Sequence, residues 1–598
     1  MMPFLFFLFA TAENPEWVQI QLSFDRAANH LIEVVAEYPP ANTSQRTLNM
    51  PVWTPGSYKI RDYARNVQGF EATSLEGNPL QWTKTEKSAW QIRVPIQTGF
   101  RVRYQIYAFE ESVRTNFVNS EGGYVNPAAT FMYEKGAKRS YRILFKTPKT
   151  WQVHSGLSSL APNLFEARSL DSLMDCPYLL GPTTLLQFTV RSIPFRFAYL
   201  GQPNVDMPKL LGDIQKIAQE TVDLFGSAPF QNYIFLCVFR NGPARGGLEH
   251  RNSTLFLSES NRFLNEKGRT GFLSLVAHEL FHAWNVKAMR DEGIWNFDYQ
   301  TENYTRLLWV HEGWTSYYDD LILVRTGLMD IKKWWEKQAK TIQSLEESAA
   351  PKVESLTDAS FDAWIHNYQP NGNAHNAQVD YYDQGALSAL ALDLYLRSRS
   401  QNKLSLDQLI TALYRDYAQQ NKPISIQAIY TWLDTNMDND AVLFLKRNVE
   451  DPKLFPFKKL LQDAGYQLGP KPKKADNESD SFEPDPLTAG FKVVDAGGRC
   501  MIGRVEADSP AWEAGLSAQD EVLALNGRRV LASSFEETLK WFQAGQTIEV
   551  LFVRDGLIGK AQLALRLKPQ ALSIEPAAEL TESHKAIQMG LTQSKTKP

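Results

Sequence analysis

His278, Glu279 and His282, in the run Val276-Ala277-His278-Glu279-Leu280-Phe281-His282, put two metal-ligating imidazoles and one carboxylate into little more than a helical turn. On an α-helix, residues i and i+4 stand one above the other on the same face. Both rings can then reach one cation while the carboxylate sits beside it. Neutral imidazoles suit zinc, and the neighbouring Glu suits the proton transfer that metal-assisted hydrolysis needs. With nine His in the chain, a chance H-E-x-x-H is expected at roughly the one-in-a-hundred level. The preceding residues Gly271 to Ala277 are apolar and partly small, as in a helix buried in an enzyme core.

A catalytic zinc takes three protein ligands plus water, so a third ligand is expected downstream. Glu292, Glu302 and Glu312 have the right chemistry, and Glu302 and Glu312 stand 20 and 30 residues past His282. The run Trp309-Val310-His311-Glu312-Gly313-Trp314-Thr315-Ser316-Tyr317-Tyr318 selects Glu312, because a carboxylate in an apolar, aromatic helix is costly unless paired or metal-bound. Glu302 is the alternative. On a helix His311 points about 100° away from its neighbour, which places it on the surface or behind the ligands.

The pattern His278-Glu279-x-x-His282-x-Trp284-Asn285-Val286-Lys287, followed by Trp309-x-x-Glu312-Gly313-x-Thr315-x-Tyr317-Tyr318, resembles the glycyl aminopeptidase family of zinc peptidases. Three further stretches agree. Gly246-Gly247-Leu248-Glu249-His250 is similar to that family's counterpart of the exopeptidase motif, Tyr381-Tyr382-x-x-Gly385 to its catalytic tyrosine segment, and Pro51-x-Trp53-x-Pro55-Gly56-Ser57-Tyr58 to its amino-terminal domain. The resemblance implies a thermolysin-like α+β zinc peptidase core of the gluzincin type, one catalytic Zn2+, and removal of small residues, Gly or Ala, from peptide amino termini. It favours Tyr382 as the phenol facing the oxyanion, with Tyr381 the choice if the register slips by one. Glu249 fits the carboxylate that meets the free α-ammonium group, beside Gly246 and Gly247, whose missing side chains let substrate backbone approach. Departures are Gln384, where relatives commonly carry Lys, Ala288 and Asp291, which interrupt a basic, proline-containing stretch, and His250, where better-known zinc aminopeptidases have Asn.

Hydrolysis of this kind uses water made acidic by the metal. Glu279 takes its proton as general base and passes it to the leaving amine, and a phenol donor at the oxyanion contributes a few kcal/mol. Two other readings fit the same residues: a zinc endopeptidase, in which Glu249 anchors no amine, and a PDZ-mediated peptide-binding protein with an inactive peptidase core. Arg61 and Asp62, in the amino-terminal motif, are explained by a Pro-Gly turn with packing aromatics.

These residues need a large scaffold, and 598 residues exceed what one hydrophobic core usually organises. Residues 13–190 read as a β-rich domain, with short alternating runs such as Trp17 to Phe24. Residues 195–468 read as the peptidase domain with a helical lobe, including amphipathic runs near 303–325, 384–399 and 406–418. Residues 469–486, rich in Pro and Lys, read as a linker. Residues 487–570 look like a PDZ domain from Ser509-Pro510-Ala511-x-x-Ala514-Gly515-Leu516 and Asp520-x-Val522-Leu523-x-Leu525-Asn526-Gly527, with Thr488-Ala489-Gly490-Phe491 in the place of the carboxylate-binding loop. Such domains bind extended peptide ends by strand addition. Residues 571–598 read as a polar tail.

A formal net charge of −4 with both signs interspersed argues against nucleic acid as a partner. Three cysteines without a C-x-x-C pair indicate neither a disulfide framework nor a thiolate zinc site. Residues 1–12 resemble a signal-peptide core ending in Ala10-Thr11-Ala12, which favours a periplasmic or secreted location over a cytoplasmic one. No segment reads as a membrane span.

Overall fold

The computed structural model describes residues 17–472 and 486–593. The signal-like segment 1–12 and residues 473–485 of the expected linker lie outside the described residues. The chain divides into two compact units, the first holding residues up to Gln219 with Ala228–Ala283 and Asn296–Asn303, the second Glu220–Ser227, Trp284–Trp295 and Tyr304–Pro598.

The first unit begins with the β-rich domain. Strands Leu31–Tyr38 and Phe100–Tyr107 bury alternate residues, as the period of two demands. They pair with each other as the fifth and sixth strands of a seven-stranded sheet whose inward side chains, Val18, Ile32, Val34, Val102 and Ile143 among them, join one apolar core. Segment 296–303 is sewn onto this domain: Val52 N donates to Tyr299 O at 2.9 Å, Trp53 Nε1 to Asp298 O at 2.8 Å, and Gln300 Nε2 to Met50 O at 2.9 Å.

A five-stranded mixed sheet follows, in the order Thr184–Val190, Ile193–Leu200, Tyr233–Arg240, Ser253–Glu259, Arg245–Glu249. Its first strand corrects the boundary read from sequence, because residues 184–190 pair along their whole length with Ile193–Leu200 and so belong to the peptidase sheet. The turn between them, Arg191-Ser192, has both residues at positive φ, the geometry of a tight hairpin. Neither residue is a Gly, Asn or Asp, so no turn signal marked it. Tyr233–Arg240 is apolar from Tyr233 to Phe239 and buried on both faces, as a central parallel strand requires.

Helix Glu266–Phe281 packs on this sheet; the Asn265 side chain caps it by accepting from Gly268 N at 2.8 Å. Phe272, Leu273, Val276, Ala277 and Leu280 are all fully buried, which accounts for the apolar run preceding His278.

The second unit is mainly helical: the run near 406–418 forms the amphipathic helix Leu406–Asp416, whereas Thr315–Arg325 and Asp383–Arg399 are helices buried on most sides rather than amphipathic, and residues 303–307 are not helical. Beside it the PDZ region forms its own sheet and apolar core around Ile502, Leu525, Ile548 and Val550. Asn376 joins the two by donating to Val505 O at 2.8 Å and accepting from Ala507 N at 2.9 Å.

Residues 572–592 of the segment expected to be a polar tail are instead built into the helical lobe. Leu572–Pro576 pairs antiparallel with Tyr466–Pro470, so part of the expected linker is also strand. Helix Glu582–Thr592, capped by Thr581, buries Ile587 and Leu591 completely. Arg325 Nε donates to Leu591 O at 3.3 Å and Asn402 Nδ2 to Ala586 O at 2.6 Å. Two buried apolar residues four apart, Ile587 and Leu591, on a short helix whose Met589 is exposed are too few for a periodicity to announce itself. Among the described residues no helix is long and apolar enough to cross a membrane.

Candidate active site

His278 and His282 stand on the last turn of the Glu266–Phe281 helix, His282 serving as its C-cap. Their Nε2 atoms face each other at 3.0 Å, with ring planes 87° apart. Two imidazole nitrogens bound tetrahedrally to one zinc at 2.0–2.1 Å stand about 3.3 Å apart. The pair therefore has the spacing and donor chemistry of two zinc ligands, and a shared cation satisfies both lone pairs at once.

Glu279 lies between the helix and the edge strand Arg245–Glu249. A Cβ built on Gly247 would fall 2.2 Å from Glu279 Oε1, so only a glycine lets the strand backbone come this close to the carboxylate. Glu249, the last residue of that strand, is buried with Glu279 and His282, and donor atoms of the three lie within 4.8 Å of one another. Tyr233 supports the group from the central strand: its hydroxyl contacts Thr254 Oγ1 at 2.6 Å and reaches toward Glu279 O at 3.5 Å. Burial keeps that phenol protonated.

His250, in the position of an Asn in better-known enzymes, is directed to Asp175, with Nδ1 to Oδ1 at 3.4 Å. Asp175 also accepts from Arg251 N at 2.9 Å. Both side chains are almost fully buried, so this pair anchors the end of the Glu249 strand.

Glu312 belongs to the second unit. It sits in a wide turn, Trp309–Trp314, where the backbone bonds run one residue longer than in an α-helix. Such a bulge leaves carbonyls short of partners, and the Asn285 side chain supplies them, its Nδ2 donating to Val310 O at 2.8 Å and His311 O at 3.2 Å. His311 is buried rather than on the surface: Nε2 meets Asp291 Oδ2 at 2.8 Å and Nδ1 meets Asn285 Oδ1 at 3.3 Å. Asp291, which interrupts the basic stretch of relatives, thus has a use here as the partner of the residue next to Glu312.

Gly313 explains why a glycine follows Glu312. It contacts Gly385 backbone to backbone, and Gly385 in turn lies under Trp309 O. Gly385 is in the first turn of helix Asp383–Arg399, whose N-cap is Tyr382. Tyr382 is partly buried and stacks on Tyr381 at 4.9 Å, while its hydroxyl is 3.5 Å from that of Tyr368. Burial first, then the nearby Glu312 carboxylate, hold its phenol well above the ordinary value, so it is a proton donor at neutral pH. Tyr381 is fully buried behind it. Glu302 lies in the non-helical segment of the first unit, and Glu292 in a short turn of the second.

Residues 19–182 match the Peptidase M61 N-terminal domain, residues 271–388 the M61 glycyl aminopeptidase, and residues 501–554 a PDZ domain. Among solved structures, an aminopeptidase N family protein from Idiomarina loihiensis is 28% identical with a TM-score of 0.89, covering 96% of this chain and 100% of its own. An M1 zinc metallopeptidase from Deinococcus radiodurans is 15% identical with a TM-score of 0.44, covering 74% of this chain and 95% of its own. No curated protein sequence matches.

Proposed function

We propose that the chain, whose amino-terminal domain and metal-helix segment both match M61 peptidase models, is a zinc aminopeptidase that removes small residues, Gly or Ala, from peptide amino termini. The proposed ligands are His278 and His282, which have the spacing of two zinc ligands, and Glu312, on the resemblance of its run to the family's. A zinc ion bound there would acidify water and polarise the scissile carbonyl.

The chain's own residues do the rest. Glu279 accepts the water proton and returns it to the departing amine, a task suited to a carboxylate pressed against backbone on one side. Tyr382, held protonated, donates to the oxyanion of the tetrahedral intermediate. Glu249 accepts the substrate's α-ammonium group, and the edge strand with Gly246 and Gly247 presents unobstructed backbone to an extended substrate. The PDZ region suits a peptide end, with Thr488–Phe491 receiving a terminal carboxylate.

The observation that carries the exopeptidase reading is Glu249, a second buried carboxylate grouped with the base and a metal ligand. An endopeptidase has no cation for it to meet. The test is hydrolysis of matched peptides with free and acetylated amino termini, with zinc removed and restored. Cleavage of the free-amine peptide alone, abolished and recovered with zinc, supports the reading; equal cleavage of both overturns it in favour of an endopeptidase. No cleavage of either by zinc-loaded protein would make the core a binding scaffold.

A further inference from the structure

The amino-terminal domain reaches Glu249 through one turn. Thr54–Ser57 is closed by Ser57 N donating to Thr54 O at 3.1 Å, and it is held from behind. Trp53, fully buried, stacks on Tyr58 at 6.5 Å and Tyr299 at 6.1 Å, and the Thr54 hydroxyl accepts from Asn126 Nδ2 at 3.5 Å. Thr54, Ser57 and Asn126 are likewise buried. The tip of this fixed turn is Gly56, at φ +86°, a conformation that favours glycine.

A Cβ on Gly56 would lie 2.5 Å from Oε1 and 2.5 Å from Oε2 of Glu249, and 2.7 Å from its Cδ. Both oxygens are nearer than the carbon, so the methyl would stand in front of the carboxylate, between its two oxygens. The backbone of the turn therefore closes that side of Glu249 at van der Waals range. A carboxylate faced by the turn at this range can neither advance nor swing toward it without collision.

We propose that Gly56 is a positioning residue for amine recognition: its turn is a backstop that sets where the Glu249 carboxylate stands to receive the substrate's α-ammonium group. The proposal rests on the amine-binding reading of Glu249, and it makes the amino-terminal domain part of the exopeptidase site. It also gives the Pro55-Gly56-Ser57 motif a purpose beyond turn formation. A small shift of one carboxylate matters because a charge-assisted N–H···O contact is short and directional.

The test uses the full-length, zinc-loaded protein and the variants Gly56→Ala, Glu249→Gln, Glu249→Asp and the double variant Gly56→Ala/Glu249→Asp. Gly56→Ala should raise KM for a free-amine peptide by about tenfold or more while changing kcat less and leaving zinc content intact. Its Tm should fall, and the double variant should recover part of that fall, since Asp withdraws the carboxylate by one methylene. A KM within about twofold of the parent, or Tm losses that simply add, would overturn the proposal. If Glu249→Gln leaves the preference for free over acetylated termini unchanged, the amine reading itself fails and takes the positioning role with it. The Tm cycle reads the contact even where Gly56→Ala folds too poorly for kinetics.

Discussion

Gly313 and Gly385 touch through bare backbone: a Cβ on the first would lie 2.4 Å from the Cα of the second, and one on the second 2.8 Å from the Cα of the first. This contact sets the distance between the turn that carries Glu312 and the helix that begins after Tyr382. Gly385→Ala should cost about 1–3 kcal/mol through overpacking, and it should lower kcat because it pushes the Tyr382 cap away. Thermal unfolding and steady-state kinetics check this; a variant with unchanged kcat would show that Tyr382 placement tolerates the shift.

Glu279→Gln keeps the side-chain shape against Gly247 but cannot accept a proton. Zinc content should be unchanged and kcat should fall by roughly 10²–10⁴. Metal analysis alongside turnover decides it. Glu312→Ala, by contrast, should lower zinc occupancy, and if only Glu302→Ala does so the ligand role moves there.

Tyr382→Phe removes the donor without disturbing the ring stack with Tyr381. The expected loss is about 10²–10³ in kcat with little change in KM. Tyr381→Phe should leave kcat near the parent, and the reverse ranking would transfer the oxyanion role to Tyr381.

His154 lies in the first unit with Nε2 at 2.8 Å from Thr183 Oγ1. Burial, helped by the nearby Arg196 guanidinium, lowers its pKa to about 4. The unfolded chain takes up the proton near 6.5 and the folded chain only near 4, so the contribution to stability is full above about 6.5 and is lost as pH falls toward 4. His154→Gln should flatten that part of the stability profile, by on the order of 2–3 kcal/mol between the two ends. Denaturant melts at several pH values test it; parallel profiles for parent and variant would refute it.

Leu591 is fully buried on the carboxy-terminal helix, beside the Arg325 and Asp407 ion pair. Leu591→Ala should cost about 2–5 kcal/mol, and the loss should appear in the helical lobe before the PDZ sheet. Hydrogen exchange resolved by segment distinguishes the two.

The metal helix was legible because its signal is local: two His four apart, a Glu between them and an apolar flank all lie within one element. Glu312 could be chosen on the cost of burying its charge, yet the reason for Gly313 beside it was hidden, since that glycine answers to Gly385 about seventy residues on. Asn285 and Asp291 were readable only as motif and departure. Their partners are carbonyls opened by a bulge and a buried histidine, features that arise once the backbone has folded. The same holds for Gly56, whose neighbour Glu249 comes from a different domain. The carboxy-terminal segment was misread because strand Leu572–Pro576 and helix Glu582–Thr592 take their stability from partners far earlier in the chain.

That returning segment also orders events during synthesis. Domains fold from the amino terminus as the chain emerges, but the helical lobe lacks its last strand and helix until after the PDZ region has been made. The Arg325 and Arg397 side chains, almost fully covered and next to residues 591 and 590, lack that cover until then. A chain released before residues 572–592 are made therefore has an unfinished helical lobe.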